Sequence, residues 1–254
     1  MVLNLIHLGR IDYVFALDLQ RQFVEARHAG RIGNTLLLLE HPPVLTLGRN
    51  SSRSNILASD EFLAYRGVEV HEINRGGDVT YHGPGQLVAY PILDLRSFTP
   101  RLGAVEYVRH LEEALIRACG DFGIPAQRIA GRTGVWTIPD GSISEKKIAA
   151  IGVHISRGIT SHGFALNVTT DLRDFDLIVP CGISDRTVTS LEMEAEPGLN
   201  SDAGRVTGIH PAPNMENAIH AVAKHFGRVF NHQILWLESL ADLHVESLAP
   251  VLQP

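Results

Sequence analysis

The stretch "KIAAIGVHISRGITSHGFALNV", residues 147–168, decides the fold. Its first half alternates with a period of two. Ala150 and Gly152 fall on one face, and Ala149, Ile151, Val153 and Ile155 fall on the other. The second half divides the same way, with Gly163, Ala165 and Asn167 set against His162, Phe164, Leu166 and Val168. Two such runs joined across "RGITS" predict a hairpin. Adjacent strands interrupt any regular strand–helix alternation. The chain therefore reads as α+β, a mixed, largely antiparallel sheet layered with helices, rather than as a doubly wound fold.

If the small faces align, they floor a shallow groove suited to a slim, linear ligand such as an acyl chain. Closer packing of sheet against helix is the rival reading. Strict alternation also puts Lys147 on the apolar face, so it must stand at the start of the strand, beyond regular pleating, to reach a groove.

Outward from the hairpin, "DYVFALDLQRQFVEARHAG" has helical periodicity and ends at Gly30. "NTLLLLEH", "VLTLGR", "VEVHEINRGG", "QLVAYPILDL" and "VWTIP" read as strands, and residues 104–119 as a helix ended by Gly120. "SRSNILASDEFLAYRG" predicts a short helix capped by Ser59 or Asp60, and Thr189 with Glu192 predicts a capping box. "NMENAIHAVAKHFGRVF" is the last strong helix. Nothing divides the chain, so residues 1–254 read as one domain with a weakly patterned tail from about residue 231.

A net charge of −6 argues against nucleic-acid binding. No run of about 20 apolar residues predicts a membrane span. The 2 cysteines, Cys119 and Cys181, lie in dissimilar contexts, so a disulfide framework is not expected and a reducing cytoplasm is. Cys119 fits a helical core position. Cys181 sits in "LIVPCGISD", between a residue that fixes φ and one that frees it, and loops of that kind often carry catalytic groups.

Two further segments stand out. "RGGDVTYHGPGQ", residues 75–86, brackets Thr80-Tyr81-His82 with glycines, which let backbone N–H groups approach a ligand; a plain glycine-rich turn is the simpler reading. It contains neither a G-x-G-x-x-G nor a phosphate-loop pattern. "EKKIAAIG" holds 2 of only 3 lysines in the chain, Lys146 and Lys147. An amine can give up its proton where arginine cannot. The 13 histidines include no H-E-x-x-H, and His220 and His225 do not share a helix face as i, i+4 would, so neither a metal nor another cofactor is expected.

Taken together, "RGGDVTYHGPGQLVAYP", "KIAAIGVHISRGITSHGFALNV" and "IVPCGI" resemble the lipoyl(octanoyl) transferases, a family related in fold to the lipoate and biotin protein ligases. The likeness runs from residue 40 to residue 192. It implies that Cys181 carries an acyl group as a thioester and that Lys147, the lysine directly before "IAAIG", lowers its pKa. It implies substrate contacts at Arg75, Gly76, Gly77, Asp78, Val79, Thr80, Tyr81 and His82. Ala150, Ile151, Gly152, Gly163, Phe164 and Ala165 are implied as further contacts. The donor implied is octanoyl-acyl carrier protein. The implied acceptors are lipoyl domains of 2-oxoacid dehydrogenase complexes and the glycine cleavage H protein.

The chemistry suits these residues. A thiol with a pKa of ~8.5 is only slightly ionised at neutral pH, and a nearby ammonium favours the thiolate. Once Cys181 is acylated, Lys147 can deprotonate the incoming amine. Backbone N–H groups at Gly76-Gly77 or Gly182 are candidate oxyanion donors. His82 and His162 are expected to orient substrate or neighbours, and Arg49, Arg53 and Arg75 to form a basic docking patch. The alternatives are an ATP-dependent lipoate or biotin ligase, an acyl-thioester hydrolase and a non-catalytic acyl-binding protein.

Overall fold

The computed structural model describes residues 1–138, 144–179, 188–195 and 210–243. β2 (Thr35–Glu40) is buried at every residue but its last, and its apolar run lacks alternation because both faces are covered. Leu36 and Leu38 enter one core, and Leu37 and Leu39 enter the other. On one face lie helices α3 (Ala104–Asp121) and α5 (Met215–Val229), which contribute Tyr107, Leu111, Leu115, Val222 and Phe226. On the other lies α1 (Tyr13–His28), which contributes Ala16, Leu19 and Phe23. Asp12 caps α1 by accepting from Phe15 N–H.

The sheet between them has eight strands in the order β11-β1-β2-β6-β10-β9-β8-β7. These are β1 (Val2–Arg10), β6 (Gln86–Ile92), β7 (Ala126–Ile129), β8 (Arg132–Thr137), β9 (Lys147–Ser156), β10 (Ile159–Asn167) and β11 (Gln233–Leu237). β1 runs parallel to both β2 and β11, and every other pairing is antiparallel. The expected α+β layering with a largely antiparallel sheet is what forms. A second sheet, β4-β3-β5, is built from β3 (Val44–Leu47), β4 (Glu69–Glu72) and β5 (Thr80–His82). It holds its own core of Leu45, Leu63, Val79, Tyr81 and Phe175.

Local departures from expectation have local causes. The hairpin turn is only Arg157-Gly158, with φ of +50° and +85°, so β10 already begins at Ile159 and "ITS" is strand. Two positive φ values are the signature of the tight turn that matches strand twist. The predicted short helix is α2 (Asp60–Tyr65), capped by Ser59. Ser190, not Thr189, accepts from Met193 N–H at the start of α4 (Leu191–Ala195), while Thr189 Oγ1 donates to Glu194. Beyond residue 231 the chain is not featureless: β11 adds to the sheet edge beside β1.

Candidate active site

The β9–β10 register pairs Gly152 with Gly163 and Ala150 with Ala165. The small faces therefore align, and they turn toward α1 and the second sheet. Above them lies a cavity of about 400 Å³, within the size range of small-ligand sites. Arg75, Gly77, Asp78, Val79, Thr80 and His82 border it from the glycine-rich segment, together with Tyr13, Val88 and Tyr90. Ile151 and Phe164 border it at the sheet, and both pack with the core on the far face.

Gly152 is required here. A Cβ on it would lie 2.9 Å from both Arg75 Cδ and Gly76 O, so the segment at 75–76 rests directly on the bare strand. Gly76 N–H donates to Val153 O, which removes it from the candidate oxyanion donors. Arg75 is buried, and its guanidinium donates to Thr46 O and Oγ1 and to Gly76 O. That burial takes it out of the expected docking patch. Arg53 is exposed and paired with Asp60, and Arg49 is exposed beside a neighbouring cavity.

Two of the expected contacts do not border the cavity: Gly76 and Tyr81. Alternation along β5 explains the second. Thr80 and His82 face the large sheet, while Tyr81 turns into the second core and donates from Oη to Asp174 at 2.6 Å.

Lys147 does reach the cavity, through a bulge. Val135 pairs with Ala149, yet the next residue, Trp136, pairs with Lys147, so one step on β8 spans two on β9. Ile148 and Ala149 consequently point into the same core, both almost fully buried, and Lys147 is returned to the face of Ala150. Its Nζ stands 4.8 Å from the centre of the Trp136 ring, a cation–π contact that holds the side chain at the cavity. Gly134 makes room for this. It has φ +128°, and a Cβ there would meet Ala149 O at 2.8 Å and Lys147 Cε at 3.2 Å. Neither Trp136 nor Gly134 was singled out from sequence. The only signal was their place on the strand paired with the lysine strand.

Cys181 lies outside the described residues, as does Gly182. Both flanks of its segment are fixed. Val179 N–H donates to Asn55 O, Val188 bridges Lys147 in parallel, and Thr189 N–H donates to Lys147 O.

A buried polar ladder ties that anchor to the cavity. Asn167 donates from Nδ2 to Thr189 O and accepts at Oδ1 from Gln86 Nε2, which also donates to Tyr81 O. The Gln86 amide oxygen must then face His82, 2.7 Å away, so His82 donates from Nδ1 and keeps Nε2 as an acceptor. Burial pushes the His82 pKa down to about 3 and that of His162 to about 3, leaving both rings neutral at pH 7. His41, bonded to Ile11 O and Tyr90 Oη, is pushed down to about 4, also chiefly by burial.

His162 departs from the sequence pattern. Alternation assigns it to the face of Phe164, but its φ is +53°, and the ring borders the cavity with Gly163 instead. Its N–H donates to Gln20 Oε1 on α1, and its ring Nε2 lies 2.9 Å from Asn74 Oδ1. As for metals, His225 pairs with Asp121 at 3.0 Å and the His220 ring lies tilted against Trp236. No group of three metal-binding side chains is present among the described residues. No helix among them is long and apolar enough to cross a membrane.

The fold has counterparts. A crystal structure of lipoate-protein ligase A bound with ATP (TM-score 0.68, 16% identity, covering 98% of this chain and 93% of that one) shares the fold. So does a bipartite lipoate protein ligase from Thermoplasma acidophilum (TM-score 0.69, 17% identity, 98% and 91%). In sequence, the chain is 75% identical over 248 residues to an octanoyltransferase of Acidobacterium capsulatum, covering 96% of each. It is 54% identical over 242 residues to one of Koribacter versatilis, covering 95% and 90%. A family model, the lipoyl protein ligase A/B catalytic domain, matches residues 12–226, and the chain belongs to that family.

Proposed function

We propose that the chain is an acyltransferase that moves an octanoyl group from acyl carrier protein to a lysine of a lipoyl domain, through a thioester on Cys181. The octanoyl transfer follows from family membership and from the octanoyltransferase relatives, which match nearly the whole chain. The donor, the acceptor and the acyl-cysteine are our reading. One observation carries it: the bulge turns Lys147 to the end of a cavity floored by small residues, while Val188, just beyond the Cys181 segment, is bridged to Lys147 itself.

The steps balance without a co-reactant. The Cys181 thiolate adds to the donor thioester carbonyl, the carrier thiolate leaves and takes the proton of the Lys147 ammonium, and an acyl-enzyme remains. The ammonium of Lys147 supports the thiolate first. Acylation then removes that negative charge, and the neutral amine of Lys147 can accept the proton released as the acceptor lysine attacks. The new amide forms, the Cys181–acyl bond breaks, and the thiolate returns. Thioester exchange is close to neutral and aminolysis runs downhill, so no ATP is consumed.

Intact-mass measurement tests this. Incubation with octanoyl-acyl carrier protein should add one octanoyl group to the wild-type chain and none to Cys181→Ala. The adduct should vanish on adding a lipoyl domain, with octanoyl-lysine formed in its place. Release of free octanoate instead would favour a hydrolase. Transfer from free octanoate that depends on ATP would favour a ligase.

A further inference from the structure

A second cavity, of about 600 Å³, lies on the same face of the large sheet, beyond Gly152 and Gly163. Its walls include the apolar Leu17, Val24, Ile73 and Ile159, with His154 and Ser161 continuing the strand faces that floor the first. Only a narrow partition separates the two. The segment Asn74–Gly76 crosses the sheet there, held by Gly76 N–H to Val153 O and by the Asn74–His162 hydrogen bond. His162 borders both cavities.

We propose that His162, turned across the sheet and held by Asn74, is the end-stop of the acyl cavity and limits the length of chain that can be transferred. This rests on the acyl-transfer reading above and adds to it the residue that sets chain-length specificity. Three observations support it. Lys147, the reactive end in that reading, and Gly152 border the cavity from opposite ends of its β9 floor. The far end then meets His162. Arg75 presents its stem there, since its Cδ lies over Gly152 while its guanidinium is bonded to Thr46 and Gly76. Finally, a non-glycine residue at φ +53° is held against its backbone preference. That conformation is what brings the ring to the cavity side. A neutral, buried imidazole offers no charge to a methyl terminus.

The test is the chain-length profile of acyl-enzyme formation, read by intact mass with octanoyl-, dodecanoyl- and hexadecanoyl-acyl carrier protein. Wild type should load octanoyl strongly over the longer donors. His162→Ala should raise dodecanoyl loading relative to octanoyl by about tenfold or more, as expected when several methylenes find apolar contact. Adding Ser161→Phe to it should refill the second cavity and restore the short-chain preference. Asn74→Ala, at an exposed position, should shift the profile the same way by less, and it serves if His162→Ala does not fold. An unchanged profile in folded variants that still load octanoyl overturns the proposal. Failure of the wild type to load any donor would instead overturn the transfer reading on which it rests.

Discussion

The two faces of the β9–β10 hairpin share one backbone and differ in almost everything else. Toward α3 and α5, Ile148, Ala149, Phe164 and Leu166 are buried in a continuous core. Toward α1, Ala150, Gly152, Gly163 and Ala165 leave a cavity over bare strand. The core face gives the sheet its stability, and the site arises where side-chain bulk is withheld from the other face. Even the exceptions serve that division. A bulge sends Lys147 to the cavity side, and a positive φ sends His162 there.

The sharpest way to break this comparison is at Lys147. Lys147→Arg keeps the positive charge but cannot release a proton. The acyl-enzyme should still form, while aminolysis, followed by single-turnover transfer to a lipoyl domain, should fall by about 10²–10⁴-fold with the melting temperature little changed. Equal loss of both half-reactions would mean that Lys147 only supports the thiolate. Next comes a matched pair. Phe164→Ala on the core face should cost about 3–5 kcal/mol in denaturant unfolding. Ala150→Leu on the cavity face should change stability by less than about 1 kcal/mol and yet block acyl loading. Equal losses of stability would erase the distinction between the faces.

The last effect concerns pH. His41, His82 and His162 are held neutral in the folded chain, with values near 4, 3 and 3, against 6.5 when unfolded. Below pH 6.5 the unfolded chain takes up protons that the folded chain refuses. Stability is therefore full above 6.5 and declines as pH falls toward 3, by up to about 1.4 kcal/mol per pH unit for each histidine. Chemical unfolding at pH 7, 6 and 5 should follow that sign. Replacing His162 with Asn should flatten the slope, and an unchanged slope would mean that its ring is not what resists protonation.

Much of this was legible in residues 147–168. Period-two alternation is a local property, so the strands and the division of each into a small and an apolar face could be read directly, as could the two lysines before "IAAIG" and the family motifs; the register that sets Gly152 opposite Gly163 came only with the two-residue turn at Arg157-Gly158. What alternation cannot supply is a break in itself. The bulge at Ile148–Ala149 depends on how β8, with Gly134 and Trp136, meets β9. The reversal at His162 depends on Gln20 and Asn74, which are distant in sequence. Tyr81 does not border the cavity, because the glycine-rich stretch contains a three-residue strand whose middle side chain faces the second core. The parallel neighbours β1 and β11 lie more than 220 residues apart in the chain and carry no local signal for each other. The sequence alone thus determined which backbone would be bare and which chemistry would be at hand. Only tertiary contact decided which side chains cross to the bare face, because that choice belongs to neighbours that the local period never sees.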